Sequence, residues 1–235
     1  MTALHDWTLS PNEAIALQKE LAPRIETRDR LGEVKRIAGV DIGFEDEGET
    51  TRAAVVLLAW PGLETLEEIV HREPTRMPYI PGLLSFREIP AALNAFERLS
   101  QRPDLVMVDG QGIAHPRRLG VASHLGLWLE LPTIGIAKSR LCGRHGDVPE
   151  KCGDWTPLTH RKEIIGAVLR SREKVKPVFV SPGHRISLDT SIDWVVKCLA
   201  GTKLPEPTRR ADRLASRRGK AFAHEKRQGE LGIGD

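Results

Sequence analysis

Three strand-like runs, residues 36–44, 52–60 and 63–72, follow one another with only the turns 45–51 and 61–62 between them. This spacing constrains the chain more than any other feature. Connections so short join antiparallel neighbours, because a parallel pair needs a crossover of a dozen residues or more. The sheet therefore opens as a meander. Beyond the Pro-rich stretch 77–82, the recurrence of Ile89, Leu93, Phe96 and Leu99 at three- to four-residue steps predicts a helix. The apolar run DLVMVD, residues 104–109, comes after that helix and stops at Gly110, which predicts a parallel, buried strand.

Alternation continues through a helix of small residues at 120–129, a strand at 133–137 and a strand pair near 163–170 and 177–181. A helix at 189–200, closed by Gly201, and a last helix at 207–218 complete the chain. Ahead of all of these, Ser10, Pro11 and Glu13 supply an N-cap, a first-turn proline and a capping-box acid for a helix carrying Ala14, Leu17 and Leu21. The order predicts an α/β fold in which a mixed central sheet, antiparallel β-meander then αβαβ, carries helices on both faces. One domain is expected over 1–218, with 219–235 as a flexible basic tail.

Composition narrows the classes. Hydrophobic residues make up 40% and charged residues 29%, which excludes a disordered chain. No apolar run approaches the ~20 residues of a membrane span, and the N-terminus lacks the pattern of a secretory signal. The expected location is the cytoplasm. Cys142, Cys152 and Cys198 form no C-x-x-C pair and read as reduced thiols. The net charge of +3 is unevenly placed: residues 111–145 and 201–235 are each +4, while residues 1–200 taken together are −1. Basic blocks suit a polyanionic partner or a solvated face.

Acids stand at the ends of the predicted strands. Asp41 lies between Val40 and Ile42 in GVDIGF, where an unpaired carboxylate is costly; it needs a cation, or a buried arginine. Asp109 ends the predicted parallel strand at the carboxyl edge, the usual place for chemistry in open α/β sheets, although Asp-Gly is also a common turn pair. Glu88 near the start of the intervening helix can reach the same edge, or can complete a capping box with Ser85. Three carboxylates without a Cys or His pattern point to Mg²⁺, with Mn²⁺ as substitute, and to hydrolysis at phosphorus. Lys138, just past the strand TIGIA, is placed to contact the phosphate or orient water, unless it is simply a solvated lysine.

The loop MPYIPG has two readings. Pro78 and Pro81 stiffen Tyr79, the only tyrosine, and Ile80 into an apolar wedge suited to enter a base stack. Alternatively, the loop is a turn that buries Tyr79 in the core.

GVDIGF, TRAAVVLL, MPYIPGLLSFRE, PDLVMVDGQGIAHPRRLGVASHLG, PTIGIAKSRLCG, PGHRIS and LPEPTR, in this order over about residues 36–217, resemble the endonuclease V family of deoxyinosine 3′-endonucleases. The resemblance implies a ribonuclease H-like fold and a Mg²⁺- or Mn²⁺-dependent enzyme. Such an enzyme nicks DNA at the second phosphodiester 3′ to deoxyinosine, leaving 3′-hydroxyl and 5′-phosphate ends. By motif it implies metal ligation by Asp41, Glu88 and Asp109, a catalytic Lys138, and a strand wedge of Pro78, Tyr79, Ile80 and Pro81. Asp212 falls where some members carry a His near the metal, and Gln111 stands in place of an expected His. A pocket for the extruded base is assigned to Gly82, Leu84, Gly110 and Gly120, where small or absent side chains let backbone approach. His115, Arg117 and Arg118 are assigned to the DNA backbone.

The expected partner is DNA containing deoxyinosine or other deaminated bases, handled by a monomer with no membrane contact. A related nuclease for inosine-containing RNA or branched DNA, and a non-catalytic nucleic-acid binding module, are the alternatives.

Overall fold

A computed structural model describes residues 3–216. The expected tail 219–235 and the expected end of the last helix at 218 lie outside the described residues. Eight strands form one sheet in the order β3-β2-β1-β4-β5-β8-β7-β6. β1 (Arg36–Glu45), β2 (Thr50–Ala59) and β3 (Thr65–Pro74) make the antiparallel meander. β4 (Leu105–Asp109) pairs parallel with β1, and β5 (Thr133–Ala137) pairs parallel with β4. This is the ribonuclease H-like arrangement.

Period-two alternation decides which helix covers which face. Ala38, Val40, Val55, Leu57, Val106 and Val108 pack against α2 (Leu84–Phe96) and α3 (Val121–Leu129). On the opposite face Ile37, Leu105 and Met107 share a cluster with Ile192 and Val195 of α4 (Leu188–Lys197). Val56 and Leu58 meet Ala211 of α5 (Glu206–Ala215). α5 crosses β1 so closely that a Cβ on Gly39 would come 1.9 Å from the Pro207 carbonyl oxygen, so only glycine fits there. The other end of α5 is held by the buried Arg52, whose Nη1 donates to the Ala215 carbonyl at 3.1 Å.

α1 (Pro11–Leu21) begins with the predicted capping box: Glu13 accepts from the Ser10 amide at 2.8 Å, and Ser10 Oγ accepts from the Glu13 amide. Elsewhere the structure moves several boundaries. β3 starts at Thr65 rather than 63 because Leu63 adopts φ +58 within the turn. The expected pair of late strands is a trio: β6 (Trp155–His160), β7 (Glu163–Leu169) and β8 (Val178–His184), all antiparallel, with β8 antiparallel to β5. Pro157 concealed β6, yet β6 is the outer strand, where a missing amide is tolerated. α4 ends at Lys197 with Cys198 as its cap, so Gly201, at φ +72, belongs to the following turn. All three cysteines are free. Among the described residues no helix is long and apolar enough to cross a membrane.

Packing leaves several imidazoles inside. Burial, with Arg117 and Arg185 adding to it, pushes His115 and His184 down to about 4, and burial beside His5 lowers His124 well below its usual value. A histidine with a lowered folded pKa contributes stability above its unfolded pKa of ~6.5 and loses it as pH falls toward the folded value. The expected result of an NMR titration is that His115 and His184 stay neutral at pH 6 and charge only near pH 4. Midpoints near 6.5 would contradict the packing described here.

Candidate active site

Register brings two acids together. Val40 pairs with Val108 in the parallel β1–β4 ladder, so Asp41 and Asp109 fall on the next rung, where β4 ends and β1 runs on beside β2. They share the parity of Ile37 and Met107, and so face α5, which supplies Asp212. One carboxylate oxygen from each of Asp41, Asp109 and Asp212 lies within 4.8 Å of the others. Lys138 follows β5, and its Nζ sits 2.5 Å from Asp109 Oδ2 and 2.6 Å from Asp212 Oδ1. The buried-arginine reading of Asp41 gives way, since Arg52 is turned to Glu45, 3.6 Å away, and to the end of α5.

Electrostatics follow from this crowding. Burial, then the charge of Asp109, raises Asp41 to about 7. Burial also raises Asp109, although its bond to Lys138 opposes the shift. For Lys138 burial works against the charge, but the bonds to Asp109 and Asp212 win and hold the ammonium above its usual range. Three hard oxygen donors converging on one point, with a single ammonium against them, fit a divalent cation such as Mg²⁺ or Mn²⁺.

Glu88 is buried at 7% exposure, and burial followed by Asp41 and Asp109 raises it well above the carboxylate range. It is not among the three acids whose oxygens meet within 4.8 Å, but it stands near enough to feel the charges of two of them. The capping-box alternative fails, because α2 starts at Leu84 without a side-chain cap and Ser85 Oγ is bonded instead to His124 Nδ1 at 3.0 Å. Asp212 completes the close triad.

Beside the cluster is a cavity of about 370 Å³ whose lining includes Tyr79, Gly82, Leu84, Asp109, Gly110, Gly120 and Lys138. All four residues assigned to a base pocket therefore line one space next to the acids. A larger cavity of about 800 Å³, lined by Phe96, Leu99, Trp128 and Leu131, adjoins the amino ends of β4 and β5, away from every acid named above. Ligands in open α/β sheets bind at carboxyl ends. Tyr79 is 67% exposed, which overturns the core-turn reading. Pro78 and Pro81 are exposed beside it, while Ile80 packs back toward Met77, Leu83 and Phe86.

The loop stands on one carbonyl. Gly82 O accepts from Gln18 Nε2 at 2.9 Å, Arg117 Nη2 at 2.8 Å and His115 Nε2 at 3.2 Å. His115 Nδ1 in turn accepts from the Arg117 amide, so both of its ring nitrogens are used internally. Arg118 donates to Glu163 at 2.8 Å and to the carbonyls of His115 and His160. The three residues assigned to the DNA backbone therefore brace loops around the cavity. Gln111, in place of the expected His, donates to the Ser139 carbonyl at 2.9 Å and ties the β4–α3 loop to the segment after Lys138. Reading the sequence missed Gln18, although a fully buried amide on the stripe of Ala14 and Leu21 was its signal. It also missed Leu141, which lines the cavity and had none, and met Arg140 only as a member of the basic block 111–145.

The sequence profile of the Endonuclease V family matches residues 19–213. An endonuclease V of Trichormus variabilis is 55% identical over 215 residues, covering 91% of this chain and 97% of the relative. The crystal structure of endonuclease V from Streptomyces avermitilis superposes with a TM-score of 0.86 at 39% identity, covering 94% of this chain and 96% of that one. The endonuclease V of Ciona intestinalis, solved in complex with a 24mer DNA containing an inosine followed by a ribo-adenosine, superposes with a TM-score of 0.76 at 28% identity. It covers 88% of this chain and 96% of that one.

Proposed function

The chain belongs to the endonuclease V family, and on that premise we propose that it nicks one DNA strand at the second phosphodiester 3′ to a deoxyinosine, leaving 3′-hydroxyl and 5′-phosphate ends. Membership makes it a nuclease, a phosphodiester hydrolase. The observation that carries the finer reading is the meeting of three aspartate oxygens within 4.8 Å, directly beside a cavity rimmed by an exposed tyrosine. The inosine-containing DNA bound by the Ciona relative supports the substrate.

Asp41, Asp109 and Asp212, with Glu88 beside them, would hold Mg²⁺, or Mn²⁺ in its place. When bound, the ion activates water and offsets charge on the scissile phosphate. The chain's own residues do the rest. Lys138, fixed in its charged state, stabilises the phosphate as charge develops on it. Gly82, Leu84, Gly110 and Gly120 receive the extruded base against backbone, and Tyr79 fills the gap left in the stack. The acting unit is a single domain over 1–218, monomeric and cytoplasmic.

The test is product mapping on end-labelled duplexes carrying one deoxyinosine, with Mg²⁺ present. One nick at the second 3′ bond is expected. Because the DNA of the Ciona complex carries a ribonucleotide after its inosine, inosine-containing RNA belongs in the same panel. Cleavage of that RNA with the deoxyinosine duplex left intact would replace the DNA reading.

A further inference from the structure

β6 and β7 are joined by two residues only, Arg161 and Lys162, and His160 pairs with Glu163 across the turn. Both turn residues have positive φ, 55° and 67°, the signature of a type I′ hairpin. That turn favours Asn-Gly, because a side chain with Cβ is strained in the left-handed region. Here two long cations occupy it. Stability alone would not choose them.

Arg144 is brought to the same place by a pair of backbone bonds with Thr159, 2.7 and 2.8 Å. Arg144, Arg161 and Lys162 together line a groove of about 390 Å³. All three are exposed, and their side chains make no hydrogen bond or ion pair among the described residues. Glu163, the adjacent acid, is already bound to Arg118 at 2.8 Å. A short stretch of chain also links the groove to the candidate active site. Lys138 touches the aspartates, Arg140 and Leu141 line the cavity, and Arg144 enters the groove. Six residue steps span at most about 20 Å, or about six base-pair steps of duplex.

We infer that Arg144 and the β6–β7 turn cations Arg161 and Lys162 form a DNA-backbone contact that holds duplex flanking the scissile bond. This inference rests on the nuclease reading for its partner, and it moves the phosphate contacts away from the internally engaged His115, Arg117 and Arg118. The contact is sequence-independent, as phosphate contacts are.

The decisive variant is the double substitution R161N/K162G, which gives the turn its preferred residues and removes two charges. Binding to an undamaged DNA duplex is measured against salt with Ca²⁺ in place of Mg²⁺, alongside thermal melting. The expected result is a Tm about 2–6 °C higher, binding roughly ten- to fiftyfold weaker at 0.1 M salt, and a log–log salt slope shallower by about 1.8. R144Q should flatten the slope by about 0.9 more. The charge-preserving R161K/K162R should keep the wild-type slope. A raised Tm with wild-type affinity and slope would overturn the contact. Cleavage of a deoxyinosine duplex by the wild-type preparation is scored separately: its absence counts against the nuclease reading, whereas the slope on undamaged duplex decides the hairpin.

Discussion

Asp41→Asn is expected to lower cleavage of a deoxyinosine duplex at least about a thousandfold, the scale of some 4 kcal/mol of lost transition-state stabilisation, while raising the melting temperature of the metal-free protein. Both effects have one cause. Asp41 is held at about 7 by burial and by the charge of Asp109, so the fold resists its ionised form. For a carboxylate with a raised folded pKa, the charged state costs stability at and above that value, and the cost fades as pH falls toward the unfolded ~3.9. Asparagine keeps the shape and removes the charge, which should raise Tm by several degrees at pH 8 and change it little near pH 4. It also removes a hard ligand.

Glu88→Gln should stabilise in the same way, being buried among like charges, and Asp109→Asn should stabilise less. Asp109 is paired with Lys138 at 2.5 Å, and losing that partner offsets the relief of repulsion. Adding Ca²⁺ should raise the Tm of the wild type by mass action and leave that of Asp41→Asn nearly unmoved. Near-normal turnover by Asp41→Asn with Mg²⁺ would remove the proposed metal site. A trade of stability for function of this kind is common at catalytic clusters.

The parts of this site that were legible in the sequence are those fixed by strand order. Asp41 lies within β1 where β4 ends beside it, Asp109 ends β4 and Lys138 follows β5, so placing three strands side by side placed all three residues. Asp212 was legible only through resemblance, because its position depends on how α5 crosses β1. That crossing is set by Gly39 meeting the Pro207 carbonyl, a contact between segments far apart in the chain. Glu88 was placed near the right edge, where it feels the charges of Asp41 and Asp109, but a helix start known only to within a turn leaves the direction of one side chain open. β6 escaped because Pro157 argues against a strand unless the strand is known to be outermost, and that is a fact of topology rather than of local sequence. The internal bonds of the residues assigned to the DNA backbone were hidden for a similar reason. Arg117 and His115 both converge on Gly82 O, and no spacing rule foretells three donors meeting at one carbonyl.

Tyr79→Ala is expected to weaken binding to a deoxyinosine duplex roughly ten- to a hundredfold, given 1.4 kcal/mol per tenfold, while leaving the fold almost untouched. The second half follows from exposure: at 67% accessible, the ring contributes little to the core, and surface truncations usually change stability by about 0.5 kcal/mol or less. The first half follows from what extrusion requires. Turning a base out of a duplex costs a few kcal/mol of stacking and pairing, and an aromatic side chain returns ~1–3 kcal/mol by stacking on the exposed neighbours. The loop is built to deliver that ring, with Pro78 and Pro81 limiting its backbone and three donors fixing Gly82 O beneath it. Little stacking has to be broken in a single strand, so the loss there should be much smaller. Binding of both substrates is compared with Ca²⁺ replacing Mg²⁺, which keeps cutting out of the measurement. Equal losses on single- and double-stranded deoxyinosine DNA would make Tyr79 a wall of the 370 Å³ cavity rather than a wedge. The base would then be read by stacking inside the pocket, not by filling the gap it leaves.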